Sequence, residues 1–269
     1  MSIKNLRFTL LLALLIGVTF SSFSQEEKTA AKLYNEGLAL LKAKDYAAGL
    51  PILEQALEKA TAEENEKVIG LAKKNGAKAA YNLGNSKKKE KNLDEALALY
   101  EKGIAWSPKY ASNYRGLAGV QDEKGDKMGA IKSYIMSADL TAEGGKVDKA
   151  AKLYKKAQNI VGKIYQAKEY ENAIAAGKAF LEMKDDNAEV NYYITRAMTE
   201  SSPSEDAITY IDKSISLSGA DVNDKYYVAK AKVYEKLNKN TEAIEVYKLV
   251  KGEKYKEQAE YKIKTLGKG

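Results

Sequence analysis

The chain repeats itself. Set residues 111–139 beneath residues 77–105, with Ala111 under Ala77, and the two lines agree in character. Leu117 falls under Leu83, Ala118 under Gly84, Asp126 under Asn92, Ala130 under Ala96 and Tyr134 under Tyr100, an offset of 34 residues. A fixed period of that size belongs to stacked supersecondary units, none of which can bury its apolar face alone. It constrains the fold more than local propensity does, because each unit must supply part of its neighbour's core.

Within the unit the pattern is helix, polar turn, helix. Small residues at Gly84, Ala96, Ala118 and Ala130 let two helix backbones approach, and large ones at Leu83, Tyr100, Leu117 and Tyr134 fill the space between units. Lys91-Asn92-Leu93-Asp94 and Lys124-Gly125-Asp126 are polar turns. Pro108 cannot continue a helix and so ends one unit and opens the next. The residues Leu83-Gly84, Leu93-Asp94-Glu95-Ala96, Tyr100 and Pro108, with Leu117-Ala118, Gly125-Asp126, Ala130 and Tyr134, resemble the tetratricopeptide repeat. The resemblance implies an all-α, right-handed superhelical solenoid of helix-turn-helix repeats. It also implies a non-enzymatic scaffold that holds a protein or peptide partner in a groove lined by the first helix of each pair.

The same phrase extends along the chain. A first copy spans Ala30–Ala60, with Gly37 in the Gly84 place, Gly49 in the Ala96 place and Pro51 early in its second helix. The next copy starts 47 residues on, so thirteen extra residues intervene, read as added turns on the following helix or as a short helix of their own. They open with Thr61-Ala62-Glu63-Glu64, a capping-box pattern. Glu143-Gly144-Gly145 reads as a flexible joint. Beyond it a long helix over Val147–Ala167 begins the fourth copy, Ala188 the fifth and Asp224 the sixth. In the fourth, Gly177 stands where Tyr100 stood and Phe180 where Gly103 stood, so either the register slips or the packing inverts. Tyr255–Leu266 reads as a capping helix with Lys256, Lys262 and Lys264 on its polar side. A membrane-surface role for that helix is the competing reading. The expected organisation is a leader over 1–24, three repeats over 25–140, and three more plus the cap over 141–269, continuous with the first array.

Met1–Ser24 has the form of an export signal. Lys4 and Arg7 precede the apolar run Phe8–Val18, and Ser22-Phe23-Ser24 offers small residues for cleavage before Gln25. Spanning a bilayer takes about 20 apolar residues, more than Phe8–Phe20 supplies. The expectation is an exported protein of the periplasm or cell envelope, with no integral span after cleavage.

The chain has no cysteine and no histidine. That removes thiol nucleophiles, imidazole bases and the usual zinc ligands. The net charge is +7, or +5 without the leader, and nearly all the positive residues are lysines, with only Arg115 and Arg196 among the arginines after Arg7. Lysine is a point charge, while arginine is the usual bidentate reader of phosphate, so nucleic acid is not an expected partner. Every Gly-Lys pair lacks the following Ser or Thr of a phosphate-binding loop. Asp185-Asp186-Asn187 lacks the spaced ligands of a calcium loop. No catalytic residue, cofactor or metal is expected. An envelope hydrolase working with paired carboxylates and a self-assembling structural subunit are the alternatives.

The resemblance carries groove positions from copy to copy: Tyr34 and Leu38, Tyr81 and Asn85, Arg115 and Gly119, Gln158 and Gly162, Tyr192 and Arg196, Val228 and Lys232. Tyrosine and arginine are frequent interface anchors. The expected partner-binding residues are therefore Tyr81, Asn85, Arg115, Tyr192 and Arg196, with Gly119 and Gly162 leaving room for a ligand backbone. The competing reading makes each an ordinary solvated or helix-packing residue.

Overall fold

A computed structural model describes residues 28–268, which form thirteen helices and no strand. The expected leader lies outside the described residues. Six hairpins follow in order: α1 (Ala30–Lys42) with α2 (Tyr46–Ala62), α3 (Glu66–Lys89) with α4 (Leu93–Trp106), and α5 (Ala111–Lys124) with α6 (Lys127–Glu143). Then come α7 (Val147–Gln166) with α8 (Tyr170–Met183), α9 (Ala188–Ser201) with α10 (Asp206–Leu217), and α11 (Asp224–Lys236) with α12 (Asn240–Tyr247). A last helix, α13 (Glu253–Leu266), covers the end. The fold is an all-α repeat solenoid. No described helix is long and apolar enough to cross a membrane.

Short polar side chains start several of the helices. Asp45, Asn65, Asn92, Asp126 and Asn187 each accept a hydrogen bond from the backbone N–H three residues on, satisfying one of the free donors of a first turn. One tight turn recurs between helices. In Glu90-Lys91-Asn92 the three N–H groups donate to Ser86, Lys88 and Lys87, and Lys91 is left-handed at φ 64°. Gly144-Gly145-Lys146 makes the same three bonds to Leu140, Ala142 and Thr141, with Gly145 at φ 76°. The glycines expected to form a flexible joint make a turn with the same hydrogen bonding as the one inside the second repeat.

The core is a large side chain lying on a small one. The Tyr100 ring of α4, fully buried, rests on Gly84 of α3 and on Gly116 of α5; a Cβ on Gly84 would lie 2.8 Å from the ring. It thus ties its own hairpin to the next. Leu53 rests on Gly37 in the first copy in the same way. Tyr134, Ile211 and Tyr247 take the same place later and are buried. The fourth copy inverts the arrangement without a register slip. Gly177 of α8 is filled by Ile194 of α9, and the ring over Gly162 comes from Tyr193 of α9, 2.9 Å from where a Cβ would stand. The ring lying on a glycine is supplied by the following first helix, while the repeat's own second helix buries Phe180 three residues beyond Gly177.

Three sequence expectations change in detail. The inserted residues extend α3 at its N-terminus, and the cap is Asn65, not Thr61, whose hydroxyl donates to Leu57 O at 2.8 Å. Asn75 holds the extension by donating to the Tyr34 hydroxyl at 2.8 Å. Pro51 is the sixth residue of α2, past the first turn, so the Ala47 carbonyl loses a helical donor. Lys262, expected on the outer side of the cap, pairs with Glu235 of α11 at 2.6 Å.

The layer of first helices has one break. α1 touches α3, α3 touches α5, α7 touches α9, α9 touches α11 and α11 touches α13. No Cα of α5 comes within 8 Å of a Cα of α7. At that point α6 and α8 approach each other, the one pair of second helices among the described residues with Cα atoms within 8 Å. The tight turn at Gly144-Gly145 lays α7 along α6, and the largest buried cluster, including Ile131, Ile135, Leu153, Val161 and Phe180, fills this part of the stack.

Tyr100→Ala is expected to cost ~3–5 kcal/mol, because the ring is fully buried and its cradle cannot collapse. Ala96→Leu overpacks a buried contact and is expected to cost ~1–3 kcal/mol. Urea unfolding measures both; wild-type midpoints would mean that the assigned packing is wrong.

Candidate partner-binding site

The five expected residues fall into two aromatic–cation clusters. The first joins α3, α4 and α5. Tyr81 is half-buried, with its ring centroid 6.1 Å from Tyr100 and 6.2 Å, edge-on, from Tyr110. The exposed Arg115 lies 5.6 Å over the Tyr81 ring and donates to its hydroxyl. Asn85 accepts a 2.8 Å bond from the Tyr100 hydroxyl, so its oxygen serves the core. Burial pushes the Tyr100 hydroxyl up to about 12.

The second cluster joins α7, α9 and α11. Arg196 donates to the Tyr192 hydroxyl at 2.8 Å and lies 5.0 Å over the Tyr165 ring. Tyr192 stacks at 5.5 Å on Tyr226 and at 5.7 Å on Tyr193, and Lys225 stands 5.0 Å over it. Glu189 closes this end, accepting from Lys225 at 2.6 Å and from the Tyr226 hydroxyl at 3.2 Å. Burial, then the Glu189 charge, holds the Tyr226 hydroxyl well above the usual range. Burial, then the neighbouring Arg196, holds the Lys232 amine below its ordinary value of 10.5.

Two of these contacts follow from the repeat itself. Arg115 on Tyr81 and Tyr226 on Tyr192 both link residues 34 apart, because equivalent positions of adjacent first helices stack. Sequence reasoning missed Tyr110, Tyr165, Tyr193, Tyr226 and Lys225. The doublets Tyr192-Tyr193 and Tyr226-Tyr227, one period apart, carried the signal for two of them.

Other groove positions do not serve as expected. Gly162 is filled by the Tyr193 ring and offers no room to a ligand, and the Lys88 ammonium covers Gly119. Tyr34 and Val228 are buried, so they pack helices together. What the two clusters can do chemically is bind. Each offers flat ring faces held by a neighbouring cation, with one guanidinium on its border. Among the described residues no group of acidic side chains could hold a metal ion.

Residues 77–110 and 224–254 match the family model described as tetratricopeptide repeat. No curated protein matches the sequence. Among solved structures, the chain is similar to the TPR2AB domain of yeast Sti1 in complex with pHSP90, at 13% identity, covering 88% of this chain and 98% of that one, with a TM-score of 0.38. It is similar to a thermophilic tetratricopeptide-repeat protein of Thermus thermophilus at 15% identity, covering 88% and 98%, with a TM-score of 0.32. It is also similar to a tetratricopeptide-repeat protein of Parabacteroides merdae at 17% identity, covering 82% and 78%, with a TM-score of 0.32. The family match supports a protein-interaction scaffold.

Two titrations check the clusters. In Arg196→Ala the Lys232 amine should titrate closer to its ordinary value, because a neighbouring positive charge is gone; an unmoved titration by NMR would separate the two groups. The Tyr100 hydroxyl ionises at 10.0 when unfolded and at about 12 when folded. The unfolded chain therefore loses this proton first, and the stability the folded state draws from Tyr100 is lost as pH rises from 10 towards 12. Urea midpoints of Tyr100→Phe should fall less over that interval than those of the wild type.

Proposed function

Since the chain carries tetratricopeptide repeats, we propose that it is a non-enzymatic scaffold of the cell envelope. It holds an extended peptide or a helix of a partner protein along its first helices. The observation that carries this reading is that Arg115 and Arg196 each lie over tyrosine rings on that layer. These are the only two arginines beyond Arg7. Tyrosine and arginine supply large contact area at low entropic cost, which is why they dominate interface energies. Tyr81, Arg115, Tyr192 and Arg196 are the proposed contact residues. Asn85 borders the first cluster but spends its oxygen on Tyr100. Export to the envelope is supported by the basic, apolar and small-residue sequence of Met1–Ser24.

Photo-crosslinking phenylalanine analogues at Tyr81 and Tyr192, in living cells, test the reading. Both should capture one recurrent protein, and analogues at the exposed Glu101 and Lys178 of second helices should not. Arg115→Ala with Arg196→Ala should lower the yield severalfold. Capture of this chain alone would favour a self-assembling subunit, and no capture would return the hydrolase reading. Fractionation should place a chain shortened by its leader in the envelope; an unshortened cytoplasmic chain would contradict export.

A further inference from the structure

Where α5 and α7 stand apart, they border a cleft of about 550 Å³, within the ~300–1,000 Å³ of ordinary ligand sites. Six cations ring it: Lys109 just before α5, Arg115 on α5, Lys146 at the start of α7, and Lys149, Lys152 and Lys156 along α7. No carboxylate lines it. Leu140 and Leu153 contribute to its apolar surface, with Ala111 and the Tyr110 ring. The N-termini of α5 and α7 both border it, and neither is closed by a side chain, so the positive ends of both helix dipoles add to the potential.

Several lysines elsewhere on the described surface are paired with carboxylates. Lys88 pairs with Glu123 at 2.8 Å, Lys225 with Glu189 at 2.6 Å and Lys230 with Asp212 at 2.6 Å. None of the five cleft lysines makes an ion pair within the described residues; Lys156 alone has a neighbour, lying 5.5 Å from the Tyr134 ring. Like charges gathered around a low-dielectric wall repel one another and focus their field outward. The break in the first-helix layer leaves the cleft open on the side where elsewhere two first helices meet.

We propose that the α5–α7 cleft binds an acidic segment of a partner protein, an extended run of Asp or Glu side chains. The inference rests on the scaffold reading and adds to it the chemistry of the partner and a separate place for it. Arg115 and Tyr110 border both this cleft and the first aromatic cluster. The lining favours carboxylates over a nucleic acid. Five of its six cations are lysines, point charges suited to single carboxylates, and one guanidinium is available for bidentate phosphate. A single ring, Tyr110, borders the cleft, whereas single-stranded nucleic acid is bound on successive stacking platforms.

The test is fluorescence anisotropy of the whole chain with a labelled decaglutamate peptide, compared with decaglutamine. Decaglutamate should bind, more weakly as salt rises, and decaglutamine should not. Lys149→Gln, Lys152→Gln and Lys156→Gln together should lower the affinity about tenfold, the sum of three exposed charge pairs. Lys32→Gln, Lys42→Gln and Lys67→Gln, the same loss of charge on α1 and α3, should leave it unchanged. Equal weakening by the two triples would overturn the site and leave diffuse attraction to a basic protein. Tighter binding of a ten-residue thymidine oligomer, lost in the cleft triple, would overturn the acidic peptide in favour of a phosphate polymer. The two readings fail separately. An empty cross-link from Tyr81 and Tyr192 with the peptide result intact removes the partner on the aromatic face and keeps the cleft. A captured partner with no discrimination between the triples does the reverse.

Discussion

Everything in this molecule depends on a bulky side chain set against a residue too small to resist it. Tyr100 touches Gly84 within its own hairpin and Gly116 in the next. One ring therefore holds three helices. Close packing of this kind leaves no slack, so the spacing of the helices is fixed by which residues are small. It also makes each hairpin's stability depend on its neighbours, as in a one-dimensional array.

The fourth repeat meets the same requirement with the partners exchanged. Gly177 removes the ring from the Tyr100 place on α8, and Tyr193 and Ile194 of α9 take over the filling. Just before it, the turn at Gly144-Gly145 folds α7 back along α6. The result is a solenoid whose second helices meet at α6 and α8 while its first helices part at α5 and α7. The cationic cleft is the consequence of that parting. On a regular stack, α7 would cover α5, and its lysines would flank a neighbour instead of an opening.

Much of this could be read from the sequence, because the repeat is a statement about contacts. The offset of 34 residues makes Arg115 and Tyr81 equivalent positions of adjacent first helices, and the fold stacks one on the other. The helix starts at Ala188 and Asp224 and the capping helix through Leu266 also follow from it. What escaped depends on three-dimensional choice among equivalent patterns. Gly162 looks like an open floor in one dimension, and only the fold brings Tyr193 over it. Gly144-Gly145 looks like a joint because glycine permits many conformations, yet the chain uses one of them, the left-handed turn. The cleft escaped entirely, since its lysines are spread over α7 and the turns before α5 and α7, and each alone reads as a solvated charge.

The central claim is that the first-helix layer is interrupted once, between α5 and α7. The chain has no cysteine of its own, so spin labels can be placed at will. Labels at Ser112→Cys and Lys152→Cys, measured by dipolar broadening against a pair spanning the touching helices α7 and α9, test it directly. The account predicts weak coupling across α5–α7 and strong coupling across α7–α9. Equal, strong coupling in both pairs, as for helices packed ~8–10 Å apart, would contradict it.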